Sequence, residues 1–245
     1  MKAGEGAPPP EEAPCDFSPR CFYAEKLSGE RLRECYEIAS PRVRRYLQAE
    51  IAHVLGRIRP NDIVLELGCG YGRVAFELAG VAGRVVGIDI AADSVLLARR
   101  MAGPRSRCEF HEMDATQMTF PDDQFDVVVC IQNGICAFGV EKVLLLREAV
   151  RVVRPGGRVL FSSYAEKFWP HRLKWFELQA ERKLIGEIDY ESTRDGVIVC
   201  KDGFRVGMMG EDDFRELCSQ MKLTPVITHV DGSSTFCELV VPGAT

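Results

Sequence analysis

Val64-Leu65-Glu66-Leu67-Gly68-Cys69-Gly70-Tyr71-Gly72 is the stretch that decides the fold. An apolar run leads to an acid, and three glycines then stand at alternate positions. Beyond them the spacing changes, and Val74, Ala75, Leu78 and Ala79 fall on one face of a helix. Strand, glycine loop and helix in that order make a backbone cradle. Glycine has no Cβ, so bare main chain can approach a ligand, with free amides pointing at whatever lies over the helix start.

The pyrophosphate fingerprint G-x-G-x-x-G places its last glycine where helix must pack closely on strand. Here the third glycine comes one position early, and Arg73 takes the place that wants a small residue. More strand-like runs follow. Arg84-Val85-Val86-Gly87-Ile88-Asp89 ends in a carboxylate, and Cys108 to Glu112 runs into Met113-Asp114-Ala115. The turn Pro121-Asp122-Asp123-Gln124 introduces the apolar run Phe125 to Ile131. Arg151 to Phe161 then gives a helix end, a Pro-Gly-Gly turn and a fifth strand. Strand and helix alternating between residues 62 and 162 imply parallel βαβ units. Cys130, Ile131, Gln132 and Asn133 follow the fourth strand at the carboxyl edge, where open sheets bind ligands.

The Glu-Leu-Gly-Cys-Gly-Tyr-Gly form resembles motif I of the class I S-adenosylmethionine-dependent methyltransferases, and the likeness continues motif by motif through residues 60 to 165. It implies an α/β, Rossmann-like, doubly wound seven-stranded sheet with its last strand antiparallel. An N-terminal helical extension and a cap inserted before the final helix complete the expected architecture. The implied cofactor is S-adenosylmethionine. In that reading Gly68, Cys69, Gly70 and Gly72 form its loop, and Glu66 holds the loop or the cofactor's amino group. Asp89 accepts from both ribose hydroxyls, a charge-assisted bidentate pairing. Asp89→Ala is then expected to weaken cofactor binding with the fold intact. Ile90 packs on the adenine or simply starts a helix; Asp114 accepts from the adenine amino group while the Ala115 amide faces the ring. Cys130 and Gln132 line the methionine part, and Asn133 lies at the substrate entrance.

Along the chain, residues 1–14 are rich in Gly, Pro and Glu and read as a disordered tail ahead of a single domain, 15–245. Residues 15–60 are helical, with Ser40 as N-cap and Pro41 at the first helical position. The cofactor-binding core is 61–165. A substrate cap follows over 166–210, with a helix reaching about Leu184 and β-like runs Ile188 to Thr193 and Val197 to Cys200 about the turn Arg194-Asp195-Gly196. Residues 211–245 supply a closing helix and strand pair.

Sulfonium chemistry needs a general base only where the acceptor must lose a proton. His171, an imidazole set between aromatics, and Tyr164 are the candidates, with Glu177 as a cap carboxylate. Trp169 and Trp175 close over the substrate or pack the cap. Tyr23, Tyr36, Arg42, Arg45 and Tyr46 are weighed equally as seals of the cofactor's carboxylate end and as surface or packing residues.

Charged residues are 27% of the chain and the net charge is −5, so no basic face announces a nucleic-acid partner. Ile131-Gln132-Asn133-Gly134-Ile135 stands where base-amine methyltransferases carry an Asn/Asp-Pro-Pro-aromatic motif, which points the same way. No apolar run approaches the ~18 residues that cross a bilayer, and the N-terminus lacks a signal's apolar segment. A cytoplasmic protein with no membrane partner is expected. Ten cysteines without any C-x-x-C pair read as small core hydrophobes in a reducing compartment, with no metal. The reading is methyl transfer to a small-molecule N, O or S acceptor. Its rivals are arsenite or soft-metalloid methylation through thiols such as Cys136 and Cys200, and a non-catalytic cofactor-binding regulator. The glycine spacing argues against a nicotinamide oxidoreductase.

Overall fold

The structure, a computed structural model, describes residues 22–104 and 106–243; the expected tail at 1–14 lies outside them. After a π-helical turn, Phe22–Lys26, come α1 (Gly29–Glu37) and α2 (Pro41–Leu55). The core alternates β1 (Ile63–Leu67), α3 (Arg73–Leu78), β2 (Arg84–Asp89), α4 (Ala92–Ala102), β3 (Cys108–Glu112) and β4 (Phe125–Cys130). It continues with α5 (Gly134–Ala137), α6 (Lys142–Val152) and β5 (Val153–Tyr164). Then follow α7 (Trp169–Glu181), β6 (Ile198–Val199), β7 (Arg205–Val206), α8 (Glu211–Ser219), β8 (Val226–Val230) and β9 (Ser234–Val240).

The main sheet has seven strands in the order β3-β2-β1-β4-β5-β9-β8. Strands β1 to β5 pair in parallel, and β9 enters antiparallel to both β5 and β8. Successive strand residues point to opposite faces, and both faces of this sheet are covered. Val64, Val85, Val127 and Val129 pack with Ile51, Val54, Ala75 and Leu78. Their neighbours Leu65, Val86 and Val128 pack with Leu145, Leu146, Ala149 and Phe214. Burial on both sides is why these strands read as unbroken apolar runs.

Local signals set the element ends. The Ser40 side chain accepts from the Val43 amide at 3.3 Å, with Pro41 opening α2. The cap departs from expectation in its pairing. Asp195 and Gly196 both have positive φ, and the Arg194–Val197 bridge closes that turn. Of Ile188 to Thr193, however, only Ile188 finds a bridge partner, Cys200, and the ladder is β6 with β7 across Asp202-Gly203. The Asp189 carboxylate accepts from the Glu191 and Ser192 amides, folding that run into a turn.

N-terminal segment and cap form one cover over the carboxyl ends of the strands. Phe22, Leu27 and Cys35 share a cluster with Phe176, Leu184, Ile198, Phe204 and Val206. Trp175 Nε1 donates to the Cys35 carbonyl at 2.8 Å, and Arg31 donates to the Lys183 and Leu184 carbonyls. On the sheet side the Gly29 amide donates to Ser94 Oγ on α4 at 2.9 Å.

Beneath the cover, Gln132 and Asn133 leave β4 with φ of 58° and 66°, a left-handed pair costing of order 1–3 kcal/mol each. Buried partners hold it. The Gln132 amide donates to Glu50 Oε2 (2.7 Å) and Ser162 Oγ (2.8 Å), and Ser162 Oγ donates to the same carboxylate oxygen. Asn133 Nδ2 donates to the Gly207 carbonyl, and Ser163 Oγ donates to Asn133 Oδ1. Glu50 is fully buried, and burial lifts its carboxyl from 4.5 to about 7 against the hydrogen bonds that lower it. The folded chain therefore keeps a proton that the unfolded chain releases above 4.5. The resulting stabilisation is complete below that pH and is lost as pH rises through 7. Glu50→Gln mimics the protonated form and should flatten part of this fall, leaving the variant about 2–3 kcal/mol less pH-sensitive up to pH 8. Urea titrations at several pH values check it; identical slopes for the two proteins would contradict it.

Candidate active site

The glycine loop is strapped to the end of β2. The amides of Gly68 and Cys69 both donate to the Ile88 carbonyl, at 2.8 and 2.9 Å. The Gly70 amide donates to Asp89 Oδ2 at 2.8 Å, and Asp89 Oδ1 accepts from the Ala91 amide at 2.9 Å. Gly70 holds φ 52°, where a side chain is strained. The close seat also needs Gly87, where a Cβ would lie 2.8 Å from the Cys69 Cβ and from the Phe110 ring. Burial pushes the Asp89 carboxyl up, opposed by the amides of Ala91, Gly70 and Ile90.

One cavity opens over this loop and under the cover. Among the expected cofactor residues, Glu66, Gly68, Cys69, Gly70, Asp89, Ile90, Asp114, Ala115 and Gln132 line it. Asn133, Tyr164 and Trp175, expected at the acceptor or in catalysis, line it from the other side, with Tyr23 and Tyr36. Asp114 Oδ1 accepts from both the amide and the hydroxyl of Thr116, at 2.8 Å each, which fixes its turn. Glu66 is 4% exposed and its Oε2 has no partner. Burial raises that carboxyl to about 8, against the pull of Arg73 and the Ala75 amide.

Other expectations are corrected. Gly72 caps α3 at φ 87°, its missing Cβ leaving room for the Phe110 and Phe76 rings, and it does not line the cavity. Cys130 is wholly buried with its sulfur against Gly134. His171 is exposed on the outer side of α7, its ring 5.6 Å from that of Phe168, so it faces away from the site. Trp169 packs into the cap cluster beside Arg172, and Glu177 is tied to Tyr190 and Lys174; neither reaches the cavity. Arg42 and Arg45 pair with Asp231, and Tyr46 packs on Tyr164 and Phe168. Burial pushes the Tyr164 phenol upward, so at neutral pH it offers a neutral hydroxyl rather than a base. Cys15 and Cys21 lie outside the described residues, within which no three His, Cys, Asp or Glu residues gather as metal ligands.

Arg73, Leu32, Phe138 and Gln179 also line the cavity, and sequence reasoning missed them. Only Arg73 carried a signal: a long cation at the position the dinucleotide fingerprint keeps small.

Residues 64–157 match the family model described as a methyltransferase domain. The chain carries a class I methyltransferase domain. Its sequence is 33% identical over 111 residues to phosphoethanolamine N-methyltransferase 1 of Zea mays, covering 44% of this chain and 22% of that one. It is 32% identical over 114 residues to a 2-methyl-6-phytyl-1,4-hydroquinone methyltransferase of Synechocystis, covering 46% and 35%. The aligned part is thus well under two thirds of either relative. In fold, the methyltransferase domain and its cover superpose on magnesium protoporphyrin IX methyltransferase from Synechocystis, solved with bound S-adenosylmethionine. The TM-score is 0.62 at 17% identity, over 94% of this chain and 99% of that one. A Pyrococcus horikoshii protein gives 0.61 at 23% identity, over 90% and 97%.

S-adenosylmethionine is the cofactor of this family, and the residues present fit it. A loop with glycine at Gly68 and Gly70, a strand-end carboxylate with lone pairs to spare and an unpartnered buried carboxylate oxygen meet in one cavity. Asp89 is nevertheless a strut as well as a ligand candidate, which amends the expectation of an intact fold on its removal. Asp89→Ala strands the Gly70 and Ala91 amides and should cost about 1–3 kcal/mol, several degrees of Tm, besides weakening cofactor binding. Thermal melts with calorimetry check this; an unchanged Tm would contradict the strut.

Proposed function

We propose that this chain is an S-adenosylmethionine-dependent methyltransferase acting on a small molecule with a nucleophilic N, O or S atom. The observation that carries this reading is the single cavity joining the glycine loop and Asp89 to an aromatic, covered end. When bound, the sulfonium supplies an electrophilic methyl group.

The chain's own work is then binding, orientation and exclusion of water. Asp89 accepts from the ribose hydroxyls, and Asp114 and Ala115 face the adenine edge, with Ile90 packed on the ring. Glu66 receives the ammonium of the amino-acid tail, which would draw its raised carboxyl back to the charged form. On the acceptor side Trp175, Phe176, Tyr23 and Tyr164 wall off solvent, and Asn133 is held rigid by Ser163 and the Gly207 carbonyl. Holding a nucleophile in line within a dry site supplies much of the rate available to such a transfer. Among the described residues, neither Tyr164, which is neutral, nor His171, which lies outside, offers a charged base to the acceptor end. This favours an acceptor that is nucleophilic without assistance, or one that gives its proton to water at the entrance.

A panel of small amine, phenol, catechol and thiol acceptors, read by S-adenosylhomocysteine release, tests the reading. Turnover with at least one acceptor, faster for amines and thiols than for unactivated alcohols, is expected. Tight cofactor binding with no release across the panel would favour the silent regulatory alternative.

A further inference from the structure

Arg172, on α7, is a fully buried cation behind the acceptor half of the cavity. Its Nη1 donates to the Gly196 carbonyl at 2.7 Å, and its Nη2 donates to the Val206 and Gly207 carbonyls at 3.0 and 2.9 Å. The central carbon stands 4.5 Å from the Tyr164 ring centroid, 5.6 Å from that of Phe176 and 5.7 Å from that of Trp169. Tyr164, Phe176 and Val206 line the cavity, so one layer of wall separates the guanidinium from whatever the cavity holds. Asn133, on the same wall, donates to the Gly207 carbonyl that Arg172 also uses.

Carbonyl dipoles and ring faces solvate this charge without cancelling it. Nε is buried with no partner, and among the described residues Arg172 forms no ion pair. The titratable side chains that bear on it most are Tyr164, Cys136, Tyr23 and Tyr46. Burial raises each of these phenols and the thiol, so all four are neutral near pH 7. Burial also lowers the proton affinity of Arg172, yet a guanidinium keeps its proton across the working range. The acids that line the cavity, Glu66, Asp89 and Asp114, all belong to the cofactor half. The acceptor half therefore has aromatic walls, a permanent positive charge behind them and no acid to answer it. In a site closed to water that charge is felt further than it would be at a surface.

Resting on the methyltransferase reading above, we propose that the acceptor is a small organic anion with an aromatic body. A phenolate, thiolate or carboxylate fits the acceptor half, and an ammonium compound does not. Arg172 is a positioning residue that selects the anion through the Tyr164–Phe176 wall, without touching it.

Benzoate, benzamide and benzylammonium share one ring and nearly one shape, and differ in charge. Each is titrated by calorimetry into the full chain saturated with S-adenosylhomocysteine. Wild type is expected to bind benzoate roughly 10-fold more tightly than benzamide, with benzylammonium the weakest. Arg172→Gln removes the charge and should bring the preference for benzoate over benzamide to within about threefold. Arg172→Lys keeps the charge, loses the fork and should retain most of the preference. Retained affinity for S-adenosylhomocysteine shows that a variant is folded. A purely structural Arg172 would weaken all three probes together and leave their ratios unchanged, an outcome that overturns the proposal. The wild-type order is a test in itself should a variant not fold. Benzylammonium binding as tightly as benzoate, or no binding of benzoate at all, would overturn the proposal. Failure of wild type to bind S-adenosylhomocysteine would instead overturn the methyltransferase reading on which it rests.

Discussion

The carboxylate of Asp89 bridges the amide of Gly70, in the loop after β1, and the amide of Ala91, at the start of α4. Two adjacent parallel strands thereby end on one acid, and the loop between them can only lie flat because Gly87 offers no Cβ to Cys69. Every other feature of the cavity takes its place from that seat. Glu66 and Arg73 flank the loop, Ile90 and Ala115 form the far wall, and α1 rests across it with the Leu32 methyl 2.9 Å from where a Gly70 Cβ would stand. A side chain at Gly70 would therefore collide with the cover.

A second constraint works at the other end of the cavity. The left-handed pair Gln132–Asn133 turns the chain out of β4 and is held by Glu50, Ser162 and Ser163, all buried. This network joins helix α2, the sheet and the cap, because Ser163 Oγ also accepts from the Met209 amide and Asn133 donates to Gly207. Cofactor side and acceptor side thus share one rigid partition. Domain closure need not build it.

The sheet and the loop were legible because each strand is buried on both faces and each turn carries its own chemistry. Val64 and Leu65, or Val127 and Val128, serve opposite layers, so apolar runs bounded by Gly or Asp could only be central parallel strands. Asp89, Glu66 and Asp114 were readable as carboxylates at strand ends. The cap was harder. Its helix has aromatic and charged residues on most sides, so nothing in its pattern shows that Trp175 turns inward while Trp169 and His171 do not. Ile188 to Thr193 looked like a strand, yet Asp189 uses its side chain to make a turn. Arg73 was visible only as an anomaly, since its seat depends on Tyr36 and Gln132, distant in sequence.

The central claim is that the crevice beside Gly70 holds an adenosyl sulfonium compound. A crystal structure of the full chain grown with S-adenosylhomocysteine tests it most directly. The account predicts the ribose hydroxyls on the Asp89 carboxylate, the adenine between Ile90 and Ala115, and the amino-acid tail beside Glu66. A crevice left empty at saturating ligand, or an adenosyl group lodged elsewhere, would contradict it.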